Sequence, residues 1–418
     1  MKTPIQLTPP KGPVELTLPK ARQIEGSRAI AEAVGLCRPQ VICAYPITPQ
    51  THIVEELSAM VKTGELMDCE FINVESEFAA LSVAIGASAA GARAYTATSS
   101  QGLLYMAEAV YNASGMQLPI VMTLGNRAIG APINIWNDHS DAMALRDAGW
   151  VLLFAETNQE AIDLHLQAFR LAEELSTPVM VCVDGFILTH AYEEVELPTP
   201  EAVDRWLPKF QPRQVLDPAE PITMGALVGP ESFSEVRYLA HRKQLRALER
   251  IPELSAEFNA TFGRNSGGIL RTYKTEGAET IVLAMGSING TIEDAIDELR
   301  RNGHAIGAVI LTTFRPFPYA SVAAALKNAS QAIVVEKSLT AGMGGPLAAD
   351  VTLALANTST PVYSVIAGLG GRPIPQASLE SIFERARDRE LPETTFLDLH
   401  WDAVNQAITK ELSWTPHT

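Results

Sequence analysis

Val41-Ile42-Cys43-Ala44-Tyr45-Pro46-Ile47-Thr48-Pro49-Gln50-Thr51 decides the fold. The apolar run Val41 to Tyr45 predicts a strand. Thr51 to Val61 then carries apolar Ile53, Val54, Leu57 and Met60 at helical spacing, so the motif is strand, turn, helix. The same grammar continues on both sides. Strands are expected at Phe71 to Val74, Ala94 to Thr98, Ile120 to Leu124, Val151 to Phe154 and Val179 to Val183. Helices are expected at Ser27 to Leu36, Glu77 to Ala90, Gly102 to Ala113 and Gln159 to Leu175. Strands alternating with helices build a parallel sheet covered on both faces.

A proline-rich, charged stretch from Glu193 to Pro221 interrupts the rhythm and reads as a connection. A helical pattern follows through Ser232 to Leu254, then the turn Asn265-Ser266-Gly267-Gly268. Alternation resumes with strands at Thr280 to Met285, Ile306 to Thr312, Gln331 to Glu336 and Val362 to Ile366. Helices are expected at Thr291 to Arg301, Ala320 to Leu326 and Gly345 to Leu355. Two doubly wound α/β domains with parallel sheets are therefore expected. The bounds are 1–21 for an extended proline-rich arm, 22–260 for the first domain with its linker from about 193, 270–395 for the second, and 396–418 for a helix and tail.

The length of 418 residues suits two domains. A formal charge of −16 repels phosphate backbones and anionic bilayers, so small molecules and proteins are the expected partners, not nucleic acid or membrane. No run of about 20 apolar residues is present to span a bilayer. Four scattered cysteines, Cys37, Cys43, Cys69 and Cys182, fit a reducing cytoplasm and leave this chain without a cluster motif of its own. Neither G-x-G-x-x-G nor G-x-S-x-G occurs, which argues against a nicotinamide dehydrogenase and the commonest hydrolase.

Candidate chemistry sits at strand-to-helix junctions, where open parallel sheets place ligands. Thr48 and Pro49 read equally well as a helix cap and first helical residue. In Asn73-Val74-Glu75-Ser76-Glu77, Glu77 faces a segment whose only charge between Phe78 and Ala107 is Arg93. A carboxyl there can exchange a proton, or it can simply complement the helix dipole. Thr96 to Gly102 offers hydroxyls as donors or as caps. Arg127, ending an apolar strand, can grip a carboxylate or pair with Asp138 or Asp141. His139 has no neighbouring His or Cys, so no metal role is expected for it.

Together, Ala44 to Thr51, Asn73 to Glu77, Thr96 to Gly102 and Asn126-Arg127 through Ala131-Pro132-Ile133-Asn134-Ile135-Trp136-Asn137-Asp138-His139 closely resemble the α subunit of multi-subunit 2-oxoacid:ferredoxin oxidoreductases, the pyruvate:ferredoxin oxidoreductase family. The likeness covers about Gln23 to Arg372. It implies that the first domain binds the pyrimidine of thiamine diphosphate and that the second is transketolase-C-terminal-like. It implies that Glu77 hydrogen-bonds N1′ of the aminopyrimidine, that Thr48 and Arg127 contact the 2-oxoacid, and that Tyr45, Pro46, Ser100 and Gln101 help bind the cofactor.

The Gly-Asp-Gly and Asn-Asn motifs that hold Mg2+ and diphosphate are absent, Val183-Asp184-Gly185 being nearest. The resemblance therefore implies a β partner holding them, with γ and ferredoxin-like δ partners carrying [4Fe-4S] clusters. Coenzyme A would take the acyl group, and ferredoxin or an NAD-reducing subunit the electrons. Arg372-Pro373 departs from the family's Gly-Gly-Arg-Asp, and the amino-terminal arm is long. This leaves the substrate open among pyruvate, the default, a branched-chain 2-oxoacid and phenylglyoxylate. The alternatives are a non-catalytic scaffold or regulatory subunit that kept the fold, and a non-oxidative thiamine decarboxylase.

Overall fold

A computed structural model describes residues 21–413. The expected arm therefore lies outside the described residues except for Ala21. The first sheet has seven strands, ordered across it as Thr313–Arg315, Val151–Phe154, Val179–Asp184, Ile120–Asn126, Ala94–Thr98, Val41–Cys43 and Glu70–Ile72. All pairings are parallel except that of Thr313–Arg315, which runs antiparallel at the edge. Every residue of the strands at 94–98, 120–126, 151–154 and 179–184 is buried. Helices cover both faces, which is why these strands are mostly apolar and do not alternate with exposed polar residues; the polar Thr96, Thr98, Thr123, Asn126 and Asp184 within them are buried too.

The second sheet has six strands, in the order Thr394–Phe396, Val362–Ile366, Gln331–Glu336, Thr280–Ala284, Ile306–Leu311 and Leu270–Tyr273. Only Leu270–Tyr273 runs antiparallel. Thr313–Arg315 follows directly from this sheet yet pairs in the first, so the two domains share chain. Phe314 on that crossing strand is fully buried and meets Phe154 edge-to-face at 6.0 Å. One core cluster runs from Leu81 to Leu355 and so includes residues of both domains.

Three segments differ from the sequence expectation. The stretch read as a connection carries Tyr192–Val195, which pairs antiparallel with Arg22–Glu25, and the helix Pro200–Trp206, capped by Thr199 accepting from Ala202 N. The helix expected at Gly102 to Ala113 is two helices, Ser100–Tyr105 and Ala107–Gly115, separated by buried Met106. The long helix runs from Pro230 to Phe262 and tolerates Pro252 inside it. Its last turns are held by Trp206, which meets Phe258 and Phe262 edge-to-face at 5.4 and 5.7 Å.

The strand Val41–Cys43 is followed on one side by Glu70–Ile72 and on the other by Ala94–Thr98. The winding direction reverses between 41–43 and 94–98. At such a reversal the loops leaving adjacent strands diverge and open a crevice at their carboxyl ends.

Candidate active site

The crevice gathers the loops after residues 43, 72, 98 and 126. Glu77 opens the helix Glu77–Ala89, whose cap is Ser76, its hydroxyl accepting from Ala79 N at 3.2 Å. Glu77 is 8% exposed and makes no hydrogen bond or ion pair among the described residues. Buried carboxylates are ordinarily paired, so this one is placed to meet a group from outside the chain. The adjacent helix supplies Gly102: a Cβ there would lie 2.7 Å from Glu77 Oε1 and 2.5 Å from Thr98 Oγ1. Gly102→Ala is therefore expected to push the carboxylate aside and lower turnover roughly tenfold to a hundredfold with the fold retained. Steady-state kcat beside a circular dichroism spectrum checks this.

In the crevice, the hydroxyls of Thr98, near Glu77, and of Thr96 and Ser99, with the Gln50 Oε1, are buried without partners among the described residues. Capping does not account for them, because Ser99, at the cap position of Ser100–Tyr105, makes no side-chain cap bond. Nor is Thr48 a cap: the helix begins at Thr51 with Gln50 before it, and Gln50 Nε2 instead donates to Tyr45 O at 2.8 Å.

Arg127 forms no ion pair with Asp138 or Asp141. Its Nη1 donates to Thr48 O at 3.0 Å and its Nε to Asn134 O at 3.1 Å, while Nη2 has no partner among the described residues. Burial pulls the guanidinium below its ordinary pKa, opposed by the Asp141 charge. A cation tied only to carbonyls keeps its charge available for an anionic ligand.

Asp141 organises the floor. Its carboxylate accepts from the main-chain N–H groups of Ser100 and Arg127 at 3.0 Å, and from Asn126 Nδ2 and Ala142 N at 2.8 Å. Burial pushes its pKa up to about 6, against the pull of those four donors. Protonation removes acceptor capacity from the donors that fix Ser100 and Arg127. Activity is therefore expected to fall as pH drops through about 6, and Asp141→Asn to flatten that limb, which a pH profile of kcat/KM reads out.

Tyr45 and Pro46 are exposed at the rim. Ser100, with φ 48°, is buried and donates to Ala128 O at 2.6 Å; its hydroxyl also meets Gln101 Oε1. The structure thus brings Thr48, Arg127 and Asp141 into one hydrogen-bonded frame, with Glu77 beside it and Ser100 and Gln101 against its wall.

Sequence reasoning missed the buried junction behind this frame. Asp184 Oδ1 meets His139 Nε2 at 2.6 Å, and Oδ2 meets Lys337 Nζ at 2.8 Å and accepts from Ser287 N at 2.9 Å. Its only local sign was an acid ending a buried strand. Glu25, His52 and His190 are the one group among the described residues with potential metal-ligand atoms within 4.8 Å of one another. Glu25 Oε1 and His52 Nδ1 are 2.7 Å apart, which is hydrogen-bond spacing; two ligands of a tetrahedral zinc stand roughly 3.3 Å apart.

A doubly wound sheet with an unpartnered acid in its crevice, backed by a second parallel-sheet domain, fits the class that the family match gives, a thiamine diphosphate enzyme subunit. Residues 32–256 match the family model described as "Pyruvate flavodoxin/ferredoxin oxidoreductase, thiamine diP-bdg", and 278–379 match "Pyruvate:ferredoxin oxidoreductase core domain II". The chain belongs to the pyruvate:ferredoxin oxidoreductase family. It is 47% identical to the pyruvate synthase subunit PorA of Methanosarcina barkeri, over 90% of this chain and 96% of that one. Identity is 44% to PorA of Pyrococcus furiosus, over 93% and 100%, and 38% to the ketoisovalerate oxidoreductase subunit VorA of Pyrococcus horikoshii, over 88% and 93%. The fold is shared with a 2-oxoglutarate:ferredoxin oxidoreductase from Magnetococcus marinus, solved with 2-oxoglutarate, coenzyme A and succinyl-CoA bound. That comparison gives a TM-score of 0.65 at 20% identity and covers 88% of this chain but 65% of that one.

Proposed function

We propose that this chain is the α-type subunit of a pyruvate-oxidising complex, converting pyruvate and coenzyme A to acetyl-CoA and carbon dioxide with electrons passed to ferredoxin or a similar acceptor. One observation carries the reading: Glu77, buried and unpartnered, on the helix after the edge strand Glu70–Ile72 and set against Gly102, which follows the reversal strand Ala94–Thr98. The fit to thiamine diphosphate rests on that acid, on the Cβ-free space at Gly102 and on the unpaired hydroxyls of the crevice. Thiamine diphosphate, when bound, supplies the carbon nucleophile and electron sink that decarboxylation needs. Glu77 would hold a proton at N1′ of the aminopyrimidine, and Tyr45, Pro46, Ser100 and Gln101 would border the ring. Arg127, with its free Nη2, would pair with the substrate carboxylate, and Thr48 would add a directional hydrogen bond.

The remaining parts belong to partners: Mg2+ and diphosphate on a β-type chain, and [4Fe-4S] clusters on γ- and δ-type chains. Exposed Tyr45, Phe78, Tyr105, Ile133, Ile135 and Trp136 ring the crevice and suit a face covered in an assembly. Four buried, unpaired thiols suit a reducing compartment, and the reading places the complex in the cytoplasm. No helix of the described residues is long and apolar enough to cross a membrane.

Pyruvate is favoured because the relatives at 43–47% identity are pyruvate synthase subunits, while the ketoisovalerate subunit stands at 38%. Carbon dioxide release by the assembled complex, compared across pyruvate, 2-oxoisovalerate, 2-oxoglutarate and phenylglyoxylate with coenzyme A and a viologen dye, tests this. Pyruvate is expected to give the highest kcat/KM. A complex that binds thiamine diphosphate and releases carbon dioxide from none of them would be a scaffold.

A further inference from the structure

Arg127 does not sit in a site built by one domain. Residues 127–139 form a loop closed by Ala128 N donating to Trp136 O at 3.0 Å. The guanidinium rests on the Asn134 carbonyl of this loop. Asn134 is itself gripped from the second domain: its Nδ2 donates to Gly370 O at 3.1 Å, while its Oδ1 accepts from Trp136 N at 2.7 Å. Gly370 N returns a bond to Asp138 Oδ2 at 3.1 Å, and His139 N donates to Lys337 O at 2.8 Å. The fit is close. A Cβ on Gly370, at φ 59°, would stand 2.4 Å from Asn134 Nδ2, and one on Gly371, at φ 79°, 2.4 Å from Trp136 Cβ. Only glycine accepts both the left-handed backbone and that approach.

We infer that Asn134 and the turn Gly368 to Gly371 are positioning residues for Arg127, through which the second domain sets the grip on the 2-oxoacid carboxylate. The inference rests on reading Arg127 as the carboxylate-binding group. Neither Asn134 nor Gly370 touches substrate. Each acts by fixing the carbonyl against which Nε lies, and so the angle at which the free Nη2 is offered.

The test compares Asn134→Asp, Gly370→Ala and Arg127→Met in the assembled complex. Asn134→Asp keeps the acceptor for Trp136 N, replaces the donor to Gly370 O and leaves the carbonyl under Arg127 in place. Its added negative charge by itself disfavours an anion, so Gly370→Ala, which adds none, is the deciding variant. Loss of one positioning bond is expected to raise KM for the 2-oxoacid about five- to tenfold, with kcat changed less than threefold and KM for coenzyme A unchanged. Gly370→Ala is expected to do the same or more, and Arg127→Met to exceed both. A merely structural role would lower the thermal midpoint or the active fraction without moving one KM selectively. If Arg127→Met raises the 2-oxoacid KM while Gly370→Ala leaves it unchanged, the inference is overturned and the reading of Arg127 stands. If all three leave it unchanged, both fall.

Discussion

Glu77→Ala is expected to lower kcat of the assembled complex by roughly 10²–10⁴-fold, the usual contribution of a positioned acid–base group. That corresponds to roughly 3–5 kcal/mol of barrier. If Glu77 served only to complement the dipole of the helix Glu77–Ala89, its removal would cost about 0.3–1 kcal/mol of stability and leave the chemistry alone. The two outcomes differ by orders of magnitude in rate, so they are separable even with scatter. Glu77→Gln sharpens the test, because it fills the same space and can hydrogen-bond but does not ionise. Turnover as low as in the alanine variant, with subunit assembly intact by gel filtration, assigns the effect to the proton.

The second large effect is on stability. Asp184 is 1% exposed and held by His139 from its own domain and by Lys337 and Ser287 from the other. Burial alone would raise its carboxyl, but Lys337 and His139 outweigh burial and hold its pKa well below the ordinary value. Asp184→Ala leaves Lys337 buried without its partner, a loss of roughly 3–5 kcal/mol. Restoring neutrality with Lys337→Met in the same chain should recover part of it, because the penalty comes from the unpaired charge.

The sign of the pH dependence follows from the depressed pKa. The contribution is fully present above the unfolded value near 4 and is lost only as pH falls below that toward the folded value. Thermal midpoints across pH are thus expected to separate the variant from wild type at pH 7 and to converge under strong acid. Equal midpoints at neutral pH would mean that this buried charge cluster adds nothing to the other ties between the domains, such as the Phe154–Phe314 packing and the Asn134–Gly370 bond.

Much of this architecture was legible because its strands are buried on both faces. The strands Gln331–Glu336 and Val362–Ile366 begin and end where the sequence reading places them, around the largely apolar stretches Ala332 to Val335 and Val362 to Ile366. The candidate site follows a related rule: parallel sheets place chemistry beyond their strand ends, and Thr48, Glu77 and Arg127 all follow strands of the first sheet. What stayed hidden depends on distance along the chain. Thr313–Arg315 is too short to show periodicity, and it pairs with Leu152 and Leu153 far away in sequence. Lys337 and Asp184 are 153 positions apart, and Asn134 and Gly370 are 236 apart. Local patterns carry no sign of such contacts. Capping by Thr48 failed for a local reason, since Gln50 folds back onto Tyr45 O and delays the helix to Thr51.

The most direct test is a structure of the assembled complex with thiamine diphosphate bound. The Glu77 carboxylate is expected about 2.6–3.2 Å from N1′ of the aminopyrimidine, with Arg127 facing the space beside the thiazolium. A Glu77 turned to solvent, or paired with a protein cation while the pyrimidine lies elsewhere, would contradict the account.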